Sequence, residues 1–219
     1  MLLKIMNLKK HAITSSNQVF IFGFIGTFNY WHGIEVLQKI IPAVIQADKT
    51  IHFLLIGEGP LKQRLQDVCI ENALTENVLF TGSVAQHKAP EYLALCDAFL
   101  CPTQPNKDGT RFFGSPTKLF EYMSMAKPTI ASCLEQLAEV VSPAIFIKSD
   151  EPVIVPAVTD EVGFTVDSLD VQGFIEACIA CKNMSQKDRE KMGANARQKI
   201  LDQYTWQQHV KRIIEHVQL

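Results

Sequence analysis

Residues 19–60 read VFIFGFIGTFNYWHGIEVLQKIIPAVIQADKTIHFLLIGEGP. Val19–Ile25 is a continuous apolar run, the mark of a strand covered on both faces. Gly33–Ala47 carries Ile34, Leu37, Ile40, Ile41, Val44 and Ile45 at helical spacing. Ile51–Ile56 is a second buried strand, ended by Gly57-Glu58-Gly59-Pro60. Strand, glycine-flanked turn, amphipathic helix and strand make a βαβ unit, which implies a parallel sheet with helices on its faces.

The alternation continues outward. Leu61–Leu74 reads as a helix, Val78–Thr81 as a short strand closed by Gly82, Ala89–Leu95 as a helix and Ala98–Cys101 as a strand. A loop, Pro102–Ser115, leads into a helix over Pro116–Ala126, stopped at Lys127-Pro128. Thr129–Ala131, Ala144–Ile147 and Gly163–Val166 read as short strands, and Val171–Lys182, Gln186–Tyr204 and Trp206–Val217 as helices. The fold class is therefore α/β: a doubly wound, Rossmann-like parallel sheet. Residues 1–17, polar and basic, read as a tail or linker. Residues 18–204 read as the domain and 205–219 as a helix that packs on something outside it.

Composition narrows the classes. The chain has 219 residues, 47% hydrophobic and 20% charged, with 21 basic against 23 acidic residues and a net charge of −2. That apolar content and low net charge exclude a disordered chain and give no global pull toward nucleic acid. The longest apolar runs are strand-sized, far short of the roughly 18–20 residues that a membrane span needs. Without a secretory stretch near Met1, the chain is expected to be cytoplasmic with reduced thiols. Cys178 and Cys181 sit inside a helical run with no second Cys/His pair nearby, so they read as a buried structural pair. His11, His52, His87, His209 and His216 show no metal-ligand spacing.

Open α/β sheets bind ligands outside the carboxyl ends of their strands, so the loops at those ends are the candidates: 26–33, 57–60, 82–86, 102–115 and 132–141. In the fourth, Ser115 suits an N-cap and Pro116 the first helical position. The helix that follows would aim its free N–H groups and positive dipole end at the ligand side, a natural phosphate site. Glu121, about 7–8 Å further along the helix at 1.5 Å per residue, suits a carboxylate accepting bonds from ribose hydroxyls. Leu119, Phe120, Met123 and Ala126 are expected to face the core, and Lys118, Glu121 and Tyr122 the ligand. Gly26 and Gly33 allow close backbone approach. The Gly57 turn lacks the third glycine of a dinucleotide fingerprint, which disfavours a nicotinamide-dependent dehydrogenase, and no Walker-type phosphate loop is present.

These loops form an ordered set: Gly26-x₆-Gly33, Gly57-Glu58-Gly59-Pro60, Leu79-Phe80-Thr81-Gly82 and Asp97-Ala98-Phe99-Leu100-Cys101-Pro102. Then come Ser115-Pro116-Thr117-Lys118-Leu119-Phe120-Glu121-Tyr122-Met123 with Ala126-Lys127-Pro128, Leu137–Val141, Gly163–Val166, Met192–Arg197 and Tyr204-Thr205-Trp206. The set resembles the carboxyl-terminal, nucleotide-sugar-binding domain of retaining GT-B-fold glycosyltransferases, in the branch that builds surface polysaccharides. The resemblance covers about residues 19–217.

It implies that Glu121, the second glutamate of a Glu-x₇-Glu motif, binds the donor's ribose. It implies that Gly114, Ser115, Pro116, Thr117 and Lys118 hold the diphosphate and donor sugar, and that the backbone at Ser83 and Val84 docks the nucleobase. The first glutamate of the motif falls on Phe113, and the usual Arg and Lys of the first loop fall on Thr27 and His32. His32 can still donate a hydrogen bond and carry part of a charge, its ordinary pKa being about 6.5; Lys118, Arg111 or Lys107 can supply the rest. Gly26 and Thr27 count with the donor loop, and His32 and Lys118 with the reacting end. No metal or other cofactor is expected beyond the nucleotide-sugar substrate.

The family has two such domains with the active site between them, so the chain is expected to be the donor half, excised or split or working with a separate acceptor-binding partner. The final helix would then carry an orphaned apolar face (Val210, Ile213, Ile214, Val217), which favours that partner or a homodimer. Peripheral association with the inner face of the membrane is expected to run through the partner. Two readings stay open: an enzyme half that transfers hexose from a nucleotide-diphosphate sugar with retention, and a binding module derived from such a domain without turnover.

Overall fold

A computed structural model describes residues 19–112, 114 and 116–217. The expected tail over 1–17, Phe113 and Ser115 therefore lie outside the described residues. Seven strands form one parallel sheet: β1 Phe20–Ile25, β2 Ile51–Ile56, β3 Val78–Gly82, β4 Ala98–Cys101, β5 Thr129–Ser132, β6 Ile145–Ile147 and β7 Phe164–Val166. Their spatial order is β3-β2-β1-β4-β5-β7-β6. The helices are α1 Ile34–Ala47, α2 Lys62–Glu71, α3 Ala89–Leu93, α4 Thr117–Ser124, α5 Glu135–Val140, α6 Val171–Asn183, α7 Gln186–Gln203 and α8 Trp206–Val217.

The doubly wound α/β class holds. Each central strand feeds two cores because successive side chains point to opposite faces. Phe20, Phe22 and Phe24 of β1 join Phe53 and Leu55 of β2 in a cluster with α1 and α6. Ile21, Leu54 and Ile56 join a second cluster with Leu119 and Met123 of α4 and Ala196 and Ile200 of α7. Each such side chain, when fully buried, contributes about 1.5–3 kcal/mol. Cys178 and Cys181 are buried free thiols in α6, and burial pushes the Cys181 pKa up to about 12. They pack as small apolar groups.

Three local expectations change. α5 lies within a segment read as loop; it is only six residues long and opens at Glu135 with φ 45°, with no capping side chain to announce it. α4 begins at Thr117, so Pro116 stands one position before the first helical residue. Residues Tyr30–His32 form a single 3₁₀ turn, capped by the Asn29 side chain, which accepts the His32 N–H.

β1 and β4 are neighbours, while the chain from β1 runs to β2 and β3 on the other side. That is the sheet's switch point, where the strand-end loops part and leave a crevice. The two loops are locked together there. Gln104 N–H donates to the Trp31 carbonyl at 3.1 Å. Gly33, at φ 75°, lies so close to the second loop that an added Cβ would fall 1.8 Å from the Pro102 carbonyl oxygen. Only glycine fits such a site. Gly33→Ala is accordingly expected to destabilise the chain by more than about 2 kcal/mol, since backbone must move to admit the methyl group; urea unfolding of the variant beside the wild type measures the loss.

Candidate functional site

A cleft of about 630 Å³ opens at the switch point. Its walls come from the ends of β1 and β4, the segment after β3, and the start of α4. Of the residues expected at the donor site, Gly26, Thr27, His32, Val84, Gly114, Pro116, Thr117, Lys118 and Glu121 line it. Ser83 is exposed outside its lining.

α4 forms the inner wall, and one side chain fixes its rotation. Tyr122 was expected to face the ligand, but it is completely buried. Its ring stacks on Phe99 at 4.4 Å and 10°, and its hydroxyl accepts the Ile25 N–H at 2.8 Å. Leu119 and Met123 share that buried face, as residues three and four apart on a helix do. Phe120, expected in the core, is half-buried and stacks instead on Tyr204 at 5.0 Å. Lys118 and Glu121, three residues apart, are left on the cleft side.

The Lys118 Nζ is buried and has no hydrogen-bond partner among the described residues. It lies 4.3 Å from the centre of the Phe24 ring, a contact that partly offsets the loss of hydration. Burial pulls its pKa below the ordinary lysine value. A Cβ at Gly26 would stand 2.9 Å from this Nζ and 3.1 Å from His32 Nδ1. The bare backbone of Gly26 thus leaves room beside two nitrogens.

In the ligand-free chain, burial works against a charge on His32. Desolvation, with the Lys118 charge beside it, lowers its pKa from 6.5 to about 4. Its Nδ1 lies 2.8 Å from the Thr27 carbonyl oxygen. A carbonyl can only accept, so Nδ1 carries the ring's proton in the neutral imidazole. The other basic candidates point elsewhere: Arg111 Nε pairs with Glu135 at 2.8 Å, and Lys107 Nζ rests over the Tyr30 ring at 4.0 Å. Desolvation in the cleft raises the Glu121 pKa, and Lys118 nearby counters that rise.

The cleft also takes in Trp31, Gln86, Cys101, Thr103, Asn106, Phe112 and Leu137, which the sequence reading did not single out. All but Cys101, which ends β4, fall in the candidate loops: Trp31 in 26–33, Gln86 in 82–86, Thr103, Asn106 and Phe112 in 102–115, and Leu137 in 132–141. Among the described residues no His/Cys/Asp/Glu group is arranged to hold a metal ion, and no helix is long and apolar enough to cross a membrane.

The profile of one family, described as glycosyl transferases group 1, matches residues 19–183. The chain belongs to that family. A GDP-mannose-dependent alpha-(1-6)-phosphatidylinositol monomannoside mannosyltransferase of Mycobacterium tuberculosis is 23% identical over 175 residues, 80% of this chain and 41% of the relative. An uncharacterized glycosyltransferase of Methanocaldococcus jannaschii is 21% identical over 192 residues, 87% of this chain and 43% of the relative. The chain thus spans about two-fifths of the length of these curated relatives.

Solved structures agree on the fold. The Anabaena protein HepE, in complex with UDP and glucose, superposes with a TM-score of 0.71 at 18% identity, over 98% of this chain and 52% of that one. The carboxyl-terminal domain of a Francisella tularensis glycosyl transferase group 1 family protein does so with a TM-score of 0.67 at 16% identity, over 91% of this chain and 94% of that one. The chain therefore has the fold of a GT-B carboxyl-terminal domain, and its cleft lies at that fold's switch point.

The depressed His32 pKa makes a stability prediction. Between about pH 6.5 and 4 the unfolded chain binds the imidazole proton and the folded chain does not. His32 therefore supports the fold fully above pH 6.5, and that support drains away as pH falls toward 4. Urea midpoints measured at pH 7 and pH 4.5 should fall further for the wild type than for His32→Gln. Equal falls would place the acid-sensitive proton on another group.

Proposed function

We propose that this chain is the donor-binding half of a hexosyltransferase, taking a nucleotide-diphosphate sugar for retaining transfer to a growing surface glycan. The observation that carries this reading is the buried Lys118 Nζ, unpartnered among the described residues, on the wall of the switch-point cleft. An ammonium held out of water with no hydrogen-bond partner is costly, and a ligand anion that bonds to it removes that cost. The α4 start adds N–H groups and a positive dipole end. Diphosphate fits both, and Glu121 lies where a ribose hydroxyl can bond to it. Relatives point the same way: the mycobacterial one is named for GDP-mannose, and HepE is in complex with UDP and glucose.

In this reading Lys118 takes over from the absent loop cations at Thr27 and His32. Rate comes from positioning the donor and stabilising the leaving diphosphate, with no metal given a role. The acceptor would bind to a separate wall of the cleft, on another domain or chain. The exposed apolar stripe of α8, with Val210, Ile213 and Ile214 each about half exposed and Val217 more so, is a surface such a partner could cover.

A second reading, a nucleotide-binding module without turnover, is favoured by Phe113 in place of the motif's first glutamate. Turnover of a nucleotide sugar, assayed with and without a supplied acceptor-binding domain, separates the two. A thermal-shift panel of nucleoside diphosphates and their sugars tests the site itself, since a ligand at 100 times its Kd adds about 2.7 kcal/mol.

Two substitutions sharpen the test. Glu121→Ala should weaken nucleoside diphosphate binding about 10–100-fold, the effect of losing hydrogen bonds to a charged acceptor; titration calorimetry on the folded variant measures it. Lys118→Met should abolish diphosphate binding while raising the unfolding free energy of the ligand-free chain by about 1–3 kcal/mol. Urea unfolding without ligand reads the second effect, and a less stable variant would mean that Lys118 supports the fold rather than the ligand.

A further inference from the structure

Trp31 lines the cleft yet remains 51% exposed. Half of a large aromatic face is therefore open to whatever enters the cleft. The indole is held on a rigid mount. Gln104 N–H binds the Trp31 carbonyl, the buried Asn29 caps the turn, and Gly33 is wedged against Pro102. Its aromatic neighbours on the rim are otherwise engaged: Lys107 covers the Tyr30 ring, and Phe112 is half-buried in the second core cluster.

Position supplies the ligand chemistry. The Trp31 and His32 ring centres are 6.2 Å apart and nearly perpendicular at 79°, so the imidazole does not cover the indole as a parallel partner would. His32 Nδ1 and the Lys118 Nζ both border the space beside Gly26. The indole thus stands 6.2 Å from an imidazole that borders the space proposed for the diphosphate. A sugar carries one face of C–H groups, which an electron-rich indole face attracts. We propose that Trp31 is the platform on which the transferred sugar of the nucleotide sugar stacks, so that it discriminates the sugar-bearing donor from the bare nucleoside diphosphate. This rests on the donor-site reading above.

The test is titration calorimetry of the 219-residue chain with UDP, UDP-glucose, GDP and GDP-mannose. Trp31→Ala is expected to weaken the nucleotide sugar by about tenfold, equivalent to about 1.4 kcal/mol, and to leave the matching nucleoside diphosphate unchanged. Trp31→Phe should recover most of the loss. A Trp206→Phe background leaves Trp31 as the sole tryptophan of two, and its emission should respond to the nucleotide sugar and not to the diphosphate. Equal loss of both ligands from a folded Trp31→Ala chain, or no loss of the nucleotide sugar, overturns the platform. If the wild type binds none of the four compounds, the donor-site reading fails and the platform fails with it; binding of UDP or GDP alone, without any gain from the sugar, overturns only the platform.

Discussion

The hydrogen bond from the Ile25 N–H to the Tyr122 hydroxyl sets the site. It ties the end of the central strand to the middle of the helix that walls the cleft. The tyrosine ring, stacked on Phe99 of the neighbouring strand, spans the switch point from below. With that side chain committed to the core, the rotation of α4 about its axis is no longer free. Lys118, one turn before Tyr122, then lies beside it at the edge of the buried face with its Nζ out of water against Phe24, and Glu121, about 100° round the helix from Tyr122, turns to the cleft. Locking of the Gly33 turn against Pro102 does the same for the facing wall. Both walls are thus held by contacts within the chain itself.

Electrostatics then divides the roles within the cleft. Two basic side chains border Gly26, and desolvation acts against the charge of both. The imidazole, with its ordinary pKa near neutrality, gives up its charge there. Lysine starts from a far higher value, and nearby Glu121 and Cys101 favour its charged form. In the proposed donor site the attraction for anions therefore rests on Lys118. A chain selected for stability alone would place an apolar residue here; a functional site tolerates such a cost.

Much of this was legible in the residue order. The apolar runs at 19–25 and 51–56 required buried parallel strands, and the spacing of Ile34, Leu37, Ile41 and Val44 required a helix covering them. Glycines and prolines marked the turns, and the ordered motifs pointed to the glycosyltransferase family that the profile match then showed. What escaped was side-chain direction. Counting along α4 left Tyr122 free to face either way, because its amphipathic ring suits a core with one polar partner as well as a ligand. The partner, Ile25, lies 97 residues away, and no local pattern encodes it. α5 escaped because six residues with no capping side chain carry too little periodicity to separate from loop.

By itself, then, the sequence determined the α/β class and the strand-end loops, since these follow from hydrophobic period and turn chemistry, which are local properties of the chain; the family came from the resemblance of its ordered motifs. The tertiary structure alone decided how the two basic groups of the cleft are perturbed: His32 and Lys118 are 86 positions apart in sequence, and both pKa values fall only when folding removes water and brings them to the same glycine. It also decided that Arg111 pairs with Glu135 instead of lining the cleft, and that Trp31 is left uncovered at its rim. Desolvation and proximity are properties of the assembled fold, and no reading along the chain contains them.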